Sequence, residues 1–135
     1  MISGAESLFA NDAFYQAFQT KDIDAMDRLW ARCSRVACIH PGWSALTSRD
    51  EIMESWQAIF ANPEAPNISC RGAEAFAAES QSFVVCYEVF GKGLLVATNI
   101  FRPEDGGWKM VHHQAGPCSP PPQGLPEEPE PPSIQ

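Results

Sequence analysis

From Glu6 to Gln19, apolar residues recur three and four positions apart. Phe9, Ala10, Ala13, Phe14, Ala17 and Phe18 share one broad arc, while Asp12, Gln16 and Gln19 lie opposite. This spacing predicts an amphipathic helix with Tyr15 at the edge of its apolar stripe. Asp22 is a good N-cap for a second helix, which carries Ile23, Met26, Leu29 and Trp30 on one side. Val36-Ala37-Cys38-Ile39 reads as a short buried strand closed by the turn His40-Pro41-Gly42-Trp43. Ser48-Arg49-Asp50-Glu51 is a capping box, in which Ser48 accepts from the Glu51 amide and Glu51 reaches back. The helix it opens presents Ile52, Trp56, Ile59 and Phe60 at helical intervals, and Asn62-Pro63 ends it.

From Asn67 the period changes from helical to alternating. Segments near 67–79, 82–91, 94–102 and 108–115 are separated by Glu79-Ser80-Gln81, Gly91-Lys92-Gly93 and Glu104-Asp105-Gly106-Gly107. These short polar or glycine-rich breaks predict hairpins, hence a mostly antiparallel meander. Three N-terminal helices covering one face of a curved sheet make an α+β cone, whose hollow suits a small molecule. The domain is expected over residues 1–116. The tail, 117–135, is expected to be extended or disordered, because from Gly116 onward the chain holds eight of the twelve prolines and three glutamates.

The last strand sets the expected site. Trp108, Met110, His112 and Gln114 alternate with Lys109, Val111 and His113. Lys109 prefers water, so the Trp108 side is read as facing the helices, which carries His112 and Gln114 into the cone. A β-bulge within the strand would reverse the assignment. His112 is then the candidate acid or base; its alternative is a buried histidine held by one partner. Asn99 shares a face with Leu95, Ala97 and Phe101, where an amide either orients a ligand or satisfies a neighbouring group. Tyr87 either offers its hydroxyl to the pocket or packs with that hydroxyl at the rim. Glu88, among Val84, Cys86 and Phe90, becomes a base of raised pKa if buried, but is read as an exposed or interface charge. His40 and Trp43 either border a ligand or form a structural corner. Tyr15 completes the candidate ligand-binding set.

Composition narrows the partners. A chain of 135 residues, 44% hydrophobic and 19% charged, suits one globular domain. A formal charge of −8 argues against nucleic acid and anionic membranes and favours a small-molecule or protein partner over a polyanion. No apolar run approaches the ~18 residues of a membrane span, and the amino terminus lacks a secretory pattern, so a cytoplasmic location is expected. The five cysteines, Cys33, Cys38, Cys70, Cys86 and Cys118, form no Cys-x-x-Cys pair and are read as reduced thiols. His112 and His113 project from opposite strand faces and cannot easily share an ion, so no metal is expected. No Gly-rich phosphate loop or Gly-x-Ser-x-Gly elbow is present, and no cofactor is expected.

Two stretches carry a resemblance. One is Cys38-Ile39-His40-Pro41-Gly42-Trp43 with Ser48-Arg49-Asp50-Glu51-Ile52 and Ser55-Trp56. The other is Ala97-Thr98-Asn99-Ile100-Phe101-Arg102, Asp105-Gly106-Gly107, and Trp108 through Ala115. Together they resemble the SnoaL-like branch of the nuclear transport factor 2-like superfamily, in particular members similar to the calcium/calmodulin-dependent kinase association domain. The resemblance spans about residues 6–116 and implies a cone-shaped barrel that dimerises through its outer sheet face. The apolar character of both sides of 94–102 independently asks for cover there. Relatives of this kind include isomerases, dehydratases, cyclases and non-catalytic assembly domains. Gln114 and Asn99 stand where association-type domains carry another histidine and a pocket arginine, and the steroid-isomerase carboxylate pair has no counterpart. The leading expectation is a homodimer that binds, and acts by acid–base chemistry on, a small apolar molecule. The alternative is a non-catalytic assembly module.

Overall fold

The computed structural model describes residues 3–126. Helix α1 spans Ala5–Thr20 and stops at Lys21, whose left-handed backbone (φ 54°) lets its N–H meet the carbonyls of Ala17 and Phe18. Helix α2, Ile23–Leu29, starts at Asp22, whose carboxylate accepts from the Ala25 amide at 3.0 Å. Helix α3, Arg49–Ala61, begins at Ser48, whose hydroxyl accepts from the Glu51 amide at 3.1 Å. The other half of the expected capping box differs: the Glu51 carboxylate accepts from the Ser48 hydroxyl at 2.9 Å rather than from its amide. The Arg49 guanidinium donates to the carbonyl of Ala31 and to Asp27 Oδ1, tying the start of α3 to the end of α2.

Strand β1 is Ala37–Ile39, and the meander is β2 (Ser69–Phe76), β3 (Ser82–Phe90), β4 (Gly93–Glu104) and β5 (Gly107–Pro117). The sheet order is β1-β5-β4-β3-β2, with β1 parallel to β5 and the remaining pairs antiparallel. The fold is therefore α+β with a mixed, mostly antiparallel sheet. The β4–β5 hairpin turns on Asp105-Gly106, both at positive φ, the requirement of the tightest two-residue hairpin loops. Helix α1 crosses the inner face, packing on β2 through β5, while α3 lies over β1. Phe14, Met26, Trp30, Ile52, Trp56, Phe101 and Met110 form the sealed centre.

Phe9 departs from the expected arc and is 76% exposed, at the edge of the groove between α1 and the β4–β5 turn. After Pro117 the chain turns back across the outer sheet face. A Cβ added at Gly72 would lie 3.4 Å from Pro126 Cδ, beside the Tyr87 ring. The rest of the Pro/Glu-rich tail, 127–135, lies outside the described residues. Among the described residues, no helix is long and apolar enough to cross a membrane.

The Ser48 cap is the most separable element of this scaffold. Ser48→Ala removes one satisfied α3 amide and is expected to cost ~1 kcal/mol, read as a Tm lower by a few degrees. An unchanged melting curve would show that α3 is held without it.

Candidate functional site

The register of β5 changes once, and the site follows from that change. Phe101 pairs with Met110, but Ile100 pairs with His112, so Val111 is an extra residue: a β-bulge. Trp108 and Met110 face the helices as expected; the Trp108 indole N–H donates to Glu6 of α1 at 2.5 Å. Beyond the bulge the faces exchange. His113 and Ala115 are buried on the inner side, whereas His112 lies on the outer face and Gln114 is exposed there. The expected inward placement of His112 and Gln114 is thus corrected, and His113 takes the place assigned to His112.

His113 joins a buried polar chain that begins on α1. Asn99, directly opposite it on β4, donates from Nδ2 to Asn11 Oδ1 at 2.8 Å and to the Tyr15 hydroxyl at 3.2 Å. Asn99 Oδ1 is left to accept, and it meets His113 Nδ1 at 2.6 Å. The proton of the neutral ring therefore sits on Nδ1, and Nε2 carries the lone pair. Nε2 lies 4.0 Å from Glu88 Oε2, the same oxygen that accepts from the Tyr15 hydroxyl at 2.6 Å.

Glu88 is 2% exposed, which corrects its reading as a surface or interface charge. Strand alternation puts it on the inner face with Val84 and Cys86, and those apolar neighbours outweigh a carboxylate's general preference for water. Burial pushes the Glu88 carboxyl up to about 7, against the opposing hydrogen bond from Tyr15. Burial, with the neighbouring imidazoles of His40 and His112, pushes His113 down to about 3. Their separation would suit an ion pair, but burial disfavours both charges, so the pair is neutral wherever Glu88 holds its proton.

These groups form the inner wall of a cavity of about 350 Å³, bounded also by Phe18, His40, Trp43 and Phe90. A larger groove of about 470 Å³ runs outside, between α1 and the β4–β5 turn, but its carboxylate, Glu6, is taken by Trp108. His40 Nε2 lies 2.9 Å from Ser55 Oγ, and Ser55 in turn donates to the Ile52 carbonyl. His40 Nε2 is therefore the donor. Burial lowers its pKa to about 4, which keeps it neutral. The Trp43 ring, 47% exposed, meets His40 edge-on at 4.7 Å.

Of the residues expected at a site, His40, Trp43, Asn99 and Tyr15 do converge on this cavity or on the polar chain behind it. Tyr15 is fully enclosed rather than at the edge of its helix stripe. Tyr87 lies on the opposite, outer face with Val85 and Val89, so its hydroxyl does not reach the cavity. Asn11 and Ser55 were missed, each being a polar residue at a helical position that points inward. Cys38 Sγ lies 3.7 Å from His40 Nε2, but burial raises its thiol to about 12, which leaves it inert. All five cysteines are free thiols.

With this geometry in hand, comparison with known proteins places the chain. A family model described as a SnoaL-like domain matches residues 8–119. The chain belongs to the SnoaL-like family. Among solved structures it is similar to a candidate dehydratase of the nuclear transport factor 2-like family from Streptomyces avermitilis. That likeness has 30% identity over 86% of this chain and 96% of the other, with a TM-score of 0.77. It is also similar to a candidate calcium/calmodulin-dependent protein kinase type II association domain from Thiobacillus denitrificans, at 30% identity over 82% and 93% of the two chains and a TM-score of 0.69. The F-box protein SKIP8 of Arabidopsis thaliana is 26% identical over 107 residues, 78% of this chain and 46% of that protein. The chain thus spans about half the length of this curated relative.

The SnoaL-like cone of this chain holds its titratable groups neutral by burial, and stability should record it. The folded-state pKa of Glu88 lies above its ordinary value of 4.5, so its contribution is complete below that pH and is lost as pH rises to about 7. His40 and His113 run the other way, adding stability as pH rises from about 4 toward 6.5. Glu88→Gln should therefore gain on the native protein by up to roughly 3 kcal/mol between these limits. Urea midpoints measured from pH 4.5 to 7 check this, and parallel curves would show that Glu88 is not held protonated.

Proposed function

We propose that this domain binds a small, mostly apolar molecule in the cavity and moves a proton on it, with Glu88 as acid or base. The observation that carries this reading is a carboxyl enclosed 4.0 Å from a neutral imidazole; burial pushes it up to about 7, where it can both take and return a proton. His113 Nε2 is an acceptor, fixed by Asn99, that can align a substrate hydroxyl or the acid proton of Glu88. Asn99, Asn11 and Tyr15 are positioning residues. The roles first sought in His112, Gln114 and Tyr87 pass to His113 and Glu88, which face the cavity.

The reaction class this favours is isomerisation, hydration or dehydration. Glu88 as carboxylate removes a proton from carbon next to a carbonyl, then returns it to another carbon or to a departing hydroxyl, which leaves as water. The dehydratase candidate similar to this chain supports that choice. Exchange in D2O tests it without the true substrate: a panel of small neutral ketones and β-hydroxyketones is followed by proton NMR. Deuterium should enter next to the carbonyl of at least one member. Glu88→Gln should lower that rate at least ~100-fold, the usual scale of general acid–base catalysis, and His112→Ala should leave it nearly unchanged. Equal loss in His112→Ala, or no exchange with any member, would contradict the reading.

The same reading pairs two copies through the outer sheet face. Phe76 and Phe83 stack there at 4.7 Å, 43% and 39% exposed, next to the part-buried Val85, Val96 and Ile100. That apolar face and the likeness to an association domain also support the assembly reading. Light scattering at micromolar concentration should give a dimer, and Phe83→Lys a monomer; a native monomer would sink the dimer.

A further inference from the structure

We infer that the ligand of this cavity carries a protonated amine on its apolar body. The inference rests on the same cavity as the function above and goes on to name the chemistry it selects.

No lysine or arginine lines the cavity. His113 has its N–H committed to Asn99 and His40 has its N–H committed to Ser55, so each imidazole is left with a lone pair rather than a donor. Two carboxylates complete the set: Glu88 on the inner wall and Glu64 on the exposed loop that follows α3. The indole N–H of Trp56 is buried without a partner, but it packs against His40 and is not part of the cavity surface. The donors that line the cavity are the amide of Asn62, whose Oδ1 accepts from the Glu64 N–H, and the indole of Trp43, both on exposed residues. The deeper groups are acceptors, and the acidic groups of the lining, Glu88 and Glu64, face no cation.

A carboxylate or phosphate entering this cavity would lose its hydration and find no cation, only the neutral donors of Asn62 and Trp43 beside two acidic side chains. A neutral apolar molecule would bind by burial alone and leave the acceptors unmatched. An ammonium brings up to three donors and a positive charge. It can meet Glu64, and Trp43, Phe18 and Phe90, which line the same cavity, supply aromatic rings for a cation. The apolar body then reaches inward to Glu88 and His113.

Three probes of the same ring and size separate these cases: benzylamine, benzyl alcohol and benzoate, titrated to tens of millimolar at about pH 7.5. Amide and methyl shifts of cavity residues report binding. Benzylammonium should bind ~tenfold tighter than benzyl alcohol, and Glu64→Gln should erase most of that preference while leaving the alcohol's affinity intact. Trp43→Leu should weaken the amine more than the alcohol. Benzoate should not bind. Equal or tighter binding of the alcohol would overturn the inference but keep the cavity as a small-molecule site, and so would tightest binding by benzoate. Amine shifts confined to surfaces away from the cavity would overturn it as well. Silence from all three probes would overturn both the inference and the ligand-binding reading beneath it.

Discussion

Asn99 and His113 face each other across β4 and β5, and the 2.6 Å hydrogen bond between them anchors the rest of the site. Both side chains are buried, His113 against the rings of Phe14 and Trp56, where an unpaired polar group costs on the order of 1–3 kcal/mol. The extra residue Val111 makes the bond possible: without it, alternation from Met110 would bring His112 inward and leave His113 outside. Asn11 then decides the proton. By accepting from Asn99 Nδ2 it turns the amide oxygen toward the imidazole and leaves Nε2 free beside Glu88. A bulge, two amides and one helix position thus fix a tautomer.

The surroundings make that geometry chemically useful. Glu88 keeps its proton to near neutrality because the cone removes it from water and supplies no cation, only the Tyr15 hydroxyl. His113 and His40 stay neutral for the same reason. The inner face is therefore nearly uncharged while its outer rim is acidic, and the polarity of the cavity comes from lone pairs rather than ions. Arg49, clamped on α2, holds α3 where Ser55 can meet His40, so even the rim histidine depends on a contact made far from it.

Much of the architecture was legible because it follows from periodicity. The three helices, the short β1, the meander and the Asp105-Gly106 hairpin are all written in apolar spacing and turn chemistry. The inner face of β4, with Asn99 among Leu95, Ala97 and Phe101, was legible for the same reason. The site was harder to read because alternation assumes an unbroken strand. One bulge at Val111 exchanged two adjacent histidines, and nothing in Met110-Val111-His112-His113 marks it. Glu88 is a different case: alternation gives its face, but a residue's average preference for water does not foretell the Tyr15 hydroxyl and the enclosed wall that receive it. Parallel pairing of β1 beside β5, which covers the strand that bears the histidine, is a long-range contact without a local signature.

The chemistry of the site depends on which imidazole faces inward and where its proton resides. Long-range ¹H–¹⁵N spectra of the side chains at neutral pH measure both directly. His113 should appear as the neutral ring with hydrogen on Nδ1 and show no titration between pH 5 and 8, while His112 responds to solvent. A His113 that titrates in that interval, or that carries its hydrogen on Nε2, would contradict the proposed arrangement at its root.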